Sequence, residues 1–273
     1  MHTHRSLNRA PNFCLAAALS TFLLVTARAA DPAPAATAPA AAADAKKEEP
    51  KKWEGSIAAG ITLTRGNSKN LLATGAFNAT RKWEHDTLLL GANAGYGEAT
   101  TEEGNQQNSH TTDQYIKGFG QLNHLFTDRF YGGLRVAGDN DRVANLNYRL
   151  TVSPLVGYYL LKETNYFWTV EAGPSYINEK YRDQATRSYW AARAAERAEY
   201  TFKSGAKLWE SAEYLPRVDD TKQYIINAEA GISAPISKAF DVRLVVQWSY
   251  NSEPAEDRLK NDTKLIGAIG YRF

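Results

Sequence analysis

From Trp53 to Phe273 the chain is a series of stretches in which apolar and polar positions alternate with period two, the pattern of a strand with two unlike sides. Twelve stretches can be marked: 53–64, 71–83, 87–96, 113–125, 130–138, 147–161, 166–177, 189–202, 206–215, 223–234, 241–250 and 263–273. The segments between them fall into two classes that take turns. "RGNSKN", "GEATTEEGNQQNSHTT", "DNDRVAN", "NEKYRDQATRS", "PRVDDTK" and "NSEPAEDRLKND" are polar and often long, whereas "EHD", "FTDR", "KETN", "KSG" and "PISKAF" are short. Long and short connections in strict turn, with an even strand number, predict an all-β fold: a transmembrane antiparallel up-and-down β-barrel of about twelve strands. The short turns and both termini would be periplasmic. No apolar run approaches the roughly 20 residues of a spanning helix.

The alternation sorts residues onto two faces. In 241–250, Val242, Leu244, Val246, Trp248 and Tyr250 oppose Arg243, Val245, Gln247 and Ser249. In 166–177, Tyr166, Trp168, Val170, Ala172 and Tyr176 oppose Phe167, Thr169, Glu171, Gly173 and Ser175. Aromatic residues sit near the strand ends of the apolar faces and small residues fill the middle, as expected where ring and polar tip straddle a membrane–water boundary. The other face should line a lumen: Lys117, Arg135, Arg149, Glu171, Arg193, Arg197, Glu229 and Arg243, with Glu199, Lys264 and Arg272. Glu196 falls on the apolar phase, which predicts a bulge or a shifted boundary in its strand. A soluble β-sandwich or lipocalin-like barrel would alternate too, but its large apolar residues would gather mid-strand.

The segment before Trp53 differs in kind. Arg5 and Arg9 precede the apolar run Phe13–Val25, and Ala27 and Ala29 follow in an A-x-A arrangement, so residues 1–29 read as a cleavable export signal. Residues 30–52, first Ala and Pro and then "KKEEPKK", read as a disordered linker, and 53–273 as the barrel. The single cysteine, Cys14, lies within the signal, so the exported chain would have no thiol chemistry. Of 32 Lys and Arg, Arg5, Arg9 and Arg28 leave with the signal, and no acid does, so 29 basic residues face 30 acidic ones. That balance gives no reason to expect nucleic acid as a partner. A mean hydropathy of −0.48 is compatible with a membrane barrel, because half of each strand meets water.

Little chemistry stands out. His85 falls in a short turn, His110 in a long loop and His124 near a strand end, without a metal-ligand spacing. Ser109 and His110 are adjacent in the expected loop, a weak pattern for a nucleophile and base. The carboxylates of "DNDR" and "TTEEGN" are expected in outer loops, where a solvated acidic loop explains them better than a cation site. No catalytic residue, metal or cofactor is expected.

Several phrases together resemble the salt-induced outer-membrane protein family, a bacterial β-barrel family of unknown function: "WEGSIAAGITLTRGNSKN", "YRLTVSPLVGYYLL", "VEAGPSYINEKY" and "KNDTKLIGAIGYRF". The resemblance implies a barrel in the outer membrane and places Gly66, Asn67 and Ser68 in the first outer loop; its label implies a link to salt or osmotic conditions. Tyr271 and Phe273, at the end of an alternating strand, resemble the C-terminal signal by which outer-membrane barrels reach their insertion machinery. The partners expected are outer-membrane lipid and lipopolysaccharide, that machinery and periplasmic chaperones. The functional expectation is a narrow channel for small polar solutes or ions, with a filled structural barrel as the first alternative and an outer-membrane lipid-acting enzyme as the second.

Overall fold

The computed structural model describes residues 53–64, 68–103, 106–256 and 258–273; the expected signal and linker lie outside the described residues. The strands are β1 (Glu54–Thr64), β2 (Ser68–Lys82), β3 (Asp86–Glu103), β4 (Gln106–Leu125), β5 (Phe130–Asp141), β6 (Leu146–Lys162), β7 (Tyr166–Tyr181), β8 (Arg187–Thr201), β9 (Lys207–Pro216), β10 (Tyr224–Pro235), β11 (Phe240–Asn251) and β12 (Asn261–Arg272). Each pairs antiparallel with its sequence neighbours, and β12 returns to β1, so the sheet closes as a twelve-stranded up-and-down barrel. Closure leaves no strand at the edge of an open sheet, so in the belt where all twelve overlap each strand is paired on both sides. The seam is short, running from Ser56↔Arg272 to Gly60↔Ala268, and the Phe273 backbone extends it by exchanging two 3.1 Å hydrogen bonds with Gly55.

Local chemistry sets the reversals. Thr127 Oγ1 accepts from the Phe130 amide at 3.0 Å and Ser237 Oγ from the Phe240 amide at 3.1 Å, side chains doing the work of a tight turn. Gly205 takes a left-handed backbone (φ 82°) in the β8–β9 turn. Asn145 (φ 56°) and Asp183 (φ 60°) do so in the opposite-end loops, as short polar side chains tolerate.

The two faces are sorted inside out relative to a soluble protein. Ile61, Ile116 and Leu265 on the outer face are 69%, 60% and 60% exposed, while Ser153 and Ser175 on the inner face are fully buried and hydrogen-bonded to each other at 2.6 Å. Aromatic residues form contacts around both rims. Tyr200–Phe202, Phe240–Tyr271 and Tyr271–Phe273 lie at the turn end, and Tyr176–Trp190, Tyr214–Tyr224 and Tyr224–Tyr250 toward the loop end.

Three expectations need correction. The segment expected as a long loop around 97–112 is a hairpin: β3 and β4 stay paired to Glu103↔Gln106, with a register shift at Gly97/Glu98. Polar residues hold this ladder as well as apolar ones, because backbone hydrogen bonds make it. Asp139 and Asp141 likewise belong to β5 and not to a loop. Glu196 lies in unbroken register, opposite Val170 and Ala212, so no bulge turns it inward. It stays on the outer face, where Trp168 Nε1 donates to it at 3.2 Å.

Candidate functional site

The inner face of β4–β10 carries a connected polar network. At its centre Arg193 (β8) bridges Glu171 (β7) at 2.8 Å and Glu213 (β9) at 2.6 Å, and is itself buried. Glu171 also accepts from Tyr131 (β5) at 2.9 Å and Gln121 (β4) at 2.7 Å. β4 and β7 are three strand spacings apart, about 14 Å along the wall. A direct side-chain contact between them therefore cuts across the lumen.

Glycine makes one of these reaches possible. Tyr131, Gly157 and Glu171 are consecutive partners across β5, β6 and β7. A Cβ on Gly157 would collide with the Tyr131 ring, so the bare backbone is what lets the ring lie flat and place its hydroxyl on Glu171. Trp209 lies over Gly231 in the same way, and its Nε1 donates to Glu229 at 2.8 Å.

The other charged residues of this face take partners of their own. Arg135 stacks on Phe119, 3.8 Å from the ring centroid, and donates to Gln121 at 3.3 Å. Lys117 stands opposite Asp139 in the β4–β5 register and 5.8 Å from the Tyr115 ring. Arg149 donates to Glu179 at 2.7 Å and to the Tyr181 hydroxyl at 2.8 Å. Arg197 is half-exposed beside Glu199 at 3.4 Å, and Lys207 meets the same carboxylate at 2.9 Å. Glu229 also accepts from Gln247 at 2.8 Å. Arg243 pairs with Asp241 and reaches Ser56 Oγ at 3.1 Å, and Arg272 approaches Asp241 at 3.3 Å. Lys264 sits between Asp113 (2.9 Å) and Asp262 (3.4 Å).

The opposite wall is different. Midway along β1, β2 and β12 the same face presents Ala58, Gly60, Thr74, Ala76 and Ala268, small and uncharged, between Lys264 and Arg272 toward the two ends of β12. At that mid-height, bulk and charge crowd one side of the lumen and leave the other side bare.

Of the other expected positions, Gly66 and Asn67 lie outside the described residues, and Ser68 opens β2 opposite Thr101. Tyr271 packs on Phe240 at 5.3 Å. Ser109 and His110 are successive residues of paired β4 and so face opposite ways; Ser109 Oγ is 2.7 Å from Thr100 Oγ1. His124 Nδ1 lies 2.8 Å from Asp86 at the turn end. The expectations above omitted Gln121, Tyr131, Glu179, Trp209, Glu213 and Asp241. Glu213 and Trp209 share the inner phase of β9, so the same alternation could have found them. The joining of Gln121 to Glu171 could not be read that way, because it depends on the curvature of the closed sheet.

The chain belongs to the family described as "Protein of unknown function, DUF481", whose model matches residues 57–273. It is 23% identical over 222 residues to "Uncharacterized protein YdiY" of Escherichia coli (strain K12), covering 81% of this chain and 83% of that protein. Among solved structures it is similar to an outer membrane channel from Pseudomonas putida F1 (TM-score 0.48, 11% identity, 86% of this chain and 100% of that one). It is also similar to the translocator domain of the autotransporter NalP from Neisseria meningitidis (TM-score 0.45, 14% identity, 83% and 90%) and to the NanC porin (TM-score 0.43, 7% identity, 80% and 98%). These are coarse likenesses of architecture.

Proposed function

We propose that this chain is a bacterial outer-membrane barrel that passes small polar solutes or ions along a narrow, eccentric lumen. The observation that supports it most is the sorting of faces: an apolar outer surface edged by aromatic rings around an inner wall of charge. Hydrocarbon has no hydrogen bonds to offer a backbone, and a closed ladder is one of the two structures that can span it. In this reading residues 1–29 are the cleaved signal, the termini and short turns are periplasmic, and the loops meet lipopolysaccharide. Tyr271 and Phe273 would present the last strand to the insertion machinery.

The path would follow the bare wall of β1, β2 and β12, past the network on β4–β10. A barrel of this size lies between narrow barrels filled by side chains and wide ones that hold channels. The contact of Gln121 with Glu171 favours a second reading, a filled barrel. Planar-bilayer recording separates the two. A channel gives steady unitary steps, and Tyr131→Ala, which removes a ring from the constriction, gives larger ones; a filled barrel is silent in both. The link to salt or osmotic conditions is a further part of the proposal, tested by the growth of a deletion strain across salt concentrations.

A further inference from the structure

The connection between β11 and β12 does not stand clear of the barrel. Its described residues lean over the mouth to the far side, where Ala255 is buried against Leu146 and Tyr181, and Arg258 donates to Asn145 Oδ1 at 3.3 Å. On the way Glu253 lies 3.2 Å from Arg187 and 4.0 Å from Arg217. Beneath this carboxylate is an apolar floor of Tyr189, Leu215 and Ile225. With Glu253 in place the cleft keeps about 10 Å³ free, room for about one water at most.

The two guanidiniums do not depend on Glu253 for their positions. Arg187 is held by Glu179 at 3.0 Å and lies 5.3 Å from the Tyr181 ring. Arg217 forks onto Asp219 at 3.0 and 2.6 Å, donates to Gln223 and stacks 4.6 Å from the Tyr189 ring centroid. The Arg217 hydrogen bonds hold the Asp219 carboxyl below its usual range, so this fork outlasts mild acid. Arg187 Nε is buried without an acceptor. Without Glu253, Arg149 and Arg187 would share the single carboxylate of Glu179. The barrel therefore builds a cationic pair over an apolar floor and fills it with a carboxylate from a loop.

We propose that Arg187 and Arg217, above Tyr189, form an entry site for small carboxylate solutes with a flat apolar body, and that Glu253 occupies it as a tethered stand-in. A free carboxylate would take the place of the Glu253 oxygens, and its body would lie beside Tyr189, on Leu215 and Ile225. The site deepens the channel reading and rests on it for onward passage. Binding is measured without current, so the two can fail separately.

The probe is benzoate, with benzamide as its uncharged counterpart, titrated calorimetrically into the detergent-solubilised barrel. Glu253→Gln should bind benzoate roughly fivefold more tightly than the wild type, the scale of one partly exposed ion pair removed from competition. Benzamide should show no such gain, and Arg217→Gln added to Glu253→Gln should abolish it. A second arm uses the unmodified protein: benzoate, but not benzamide, should speed tryptic cleavage after Arg258 by displacing the loop. The proposal is overturned if Glu253→Gln binds benzoate no better, if benzamide gains equally, or if benzoate leaves cleavage after Arg258 unchanged.

Discussion

Between Tyr131 and Glu171 stands a residue with no side chain, and the centre of the lumen network depends on it. Gly157→Ala should push the Tyr131 ring off the wall and break its 2.9 Å bond to Glu171, costing about 1–3 kcal/mol in urea unfolding from lipid vesicles. Tyr131→Phe removes the same hydrogen bond without the collision. The two changes share that bond, so the cost of the double variant should fall short of their sum. At this scale the face each residue takes was legible, because alternation fixes it from the sequence. The partners were not. Arg193 reads as one charge among several until the register sets Gly173 beside it and leaves Glu171 and Glu213 as its neighbours.

Among the elements, the β3–β4 hairpin and the closing seam behave as opposites. Residues of β4 before Tyr115 pair with β3 but not with β5, so the hairpin tip adds length without closing the barrel. Replacing residues 102–107 by Asn-Gly, a two-residue turn between Thr101 and Asn108, should leave a folded barrel within about 0.5 kcal/mol of the original, read from its unfolding midpoint. The seam has no such reserve. The Phe273 ring lies over Gly55 across the junction of β1 and β12, where any Cβ would meet it. Gly55→Val should therefore dislodge Phe273 and lower the temperature at which the barrel loses its compact gel mobility, whereas Gly75→Val, with open space at its Cβ, should not. Strand number and connection order were legible because apolar faces and turn residues mark them. Strand ends were not. Past the apolar belt a ladder needs only backbone bonds, so Thr100 and Ser109 pair in β3 and β4 without any apolar rhythm to announce them.

Taken whole, the proposed place in a membrane turns on which side of the closed sheet would meet hydrocarbon. Alternation alone could not say which face is outside, since a soluble barrel alternates as well; closure and exposure put the apolar face outside and the charged face within, with Ile116 open and Glu179 shut away. Two of the six tryptophans make the distinction measurable: Trp190 lies on the outer face at 55% exposure, and Trp209 points inward to Glu229. Single-tryptophan variants, with the other five changed to phenylalanine, can be refolded into vesicles of brominated lipid. An apolar outer face in lipid gives strong quenching of Trp190 by the brominated chains and little of Trp209. Equal quenching of the two, or stronger quenching of Trp209, would contradict that placement of the faces.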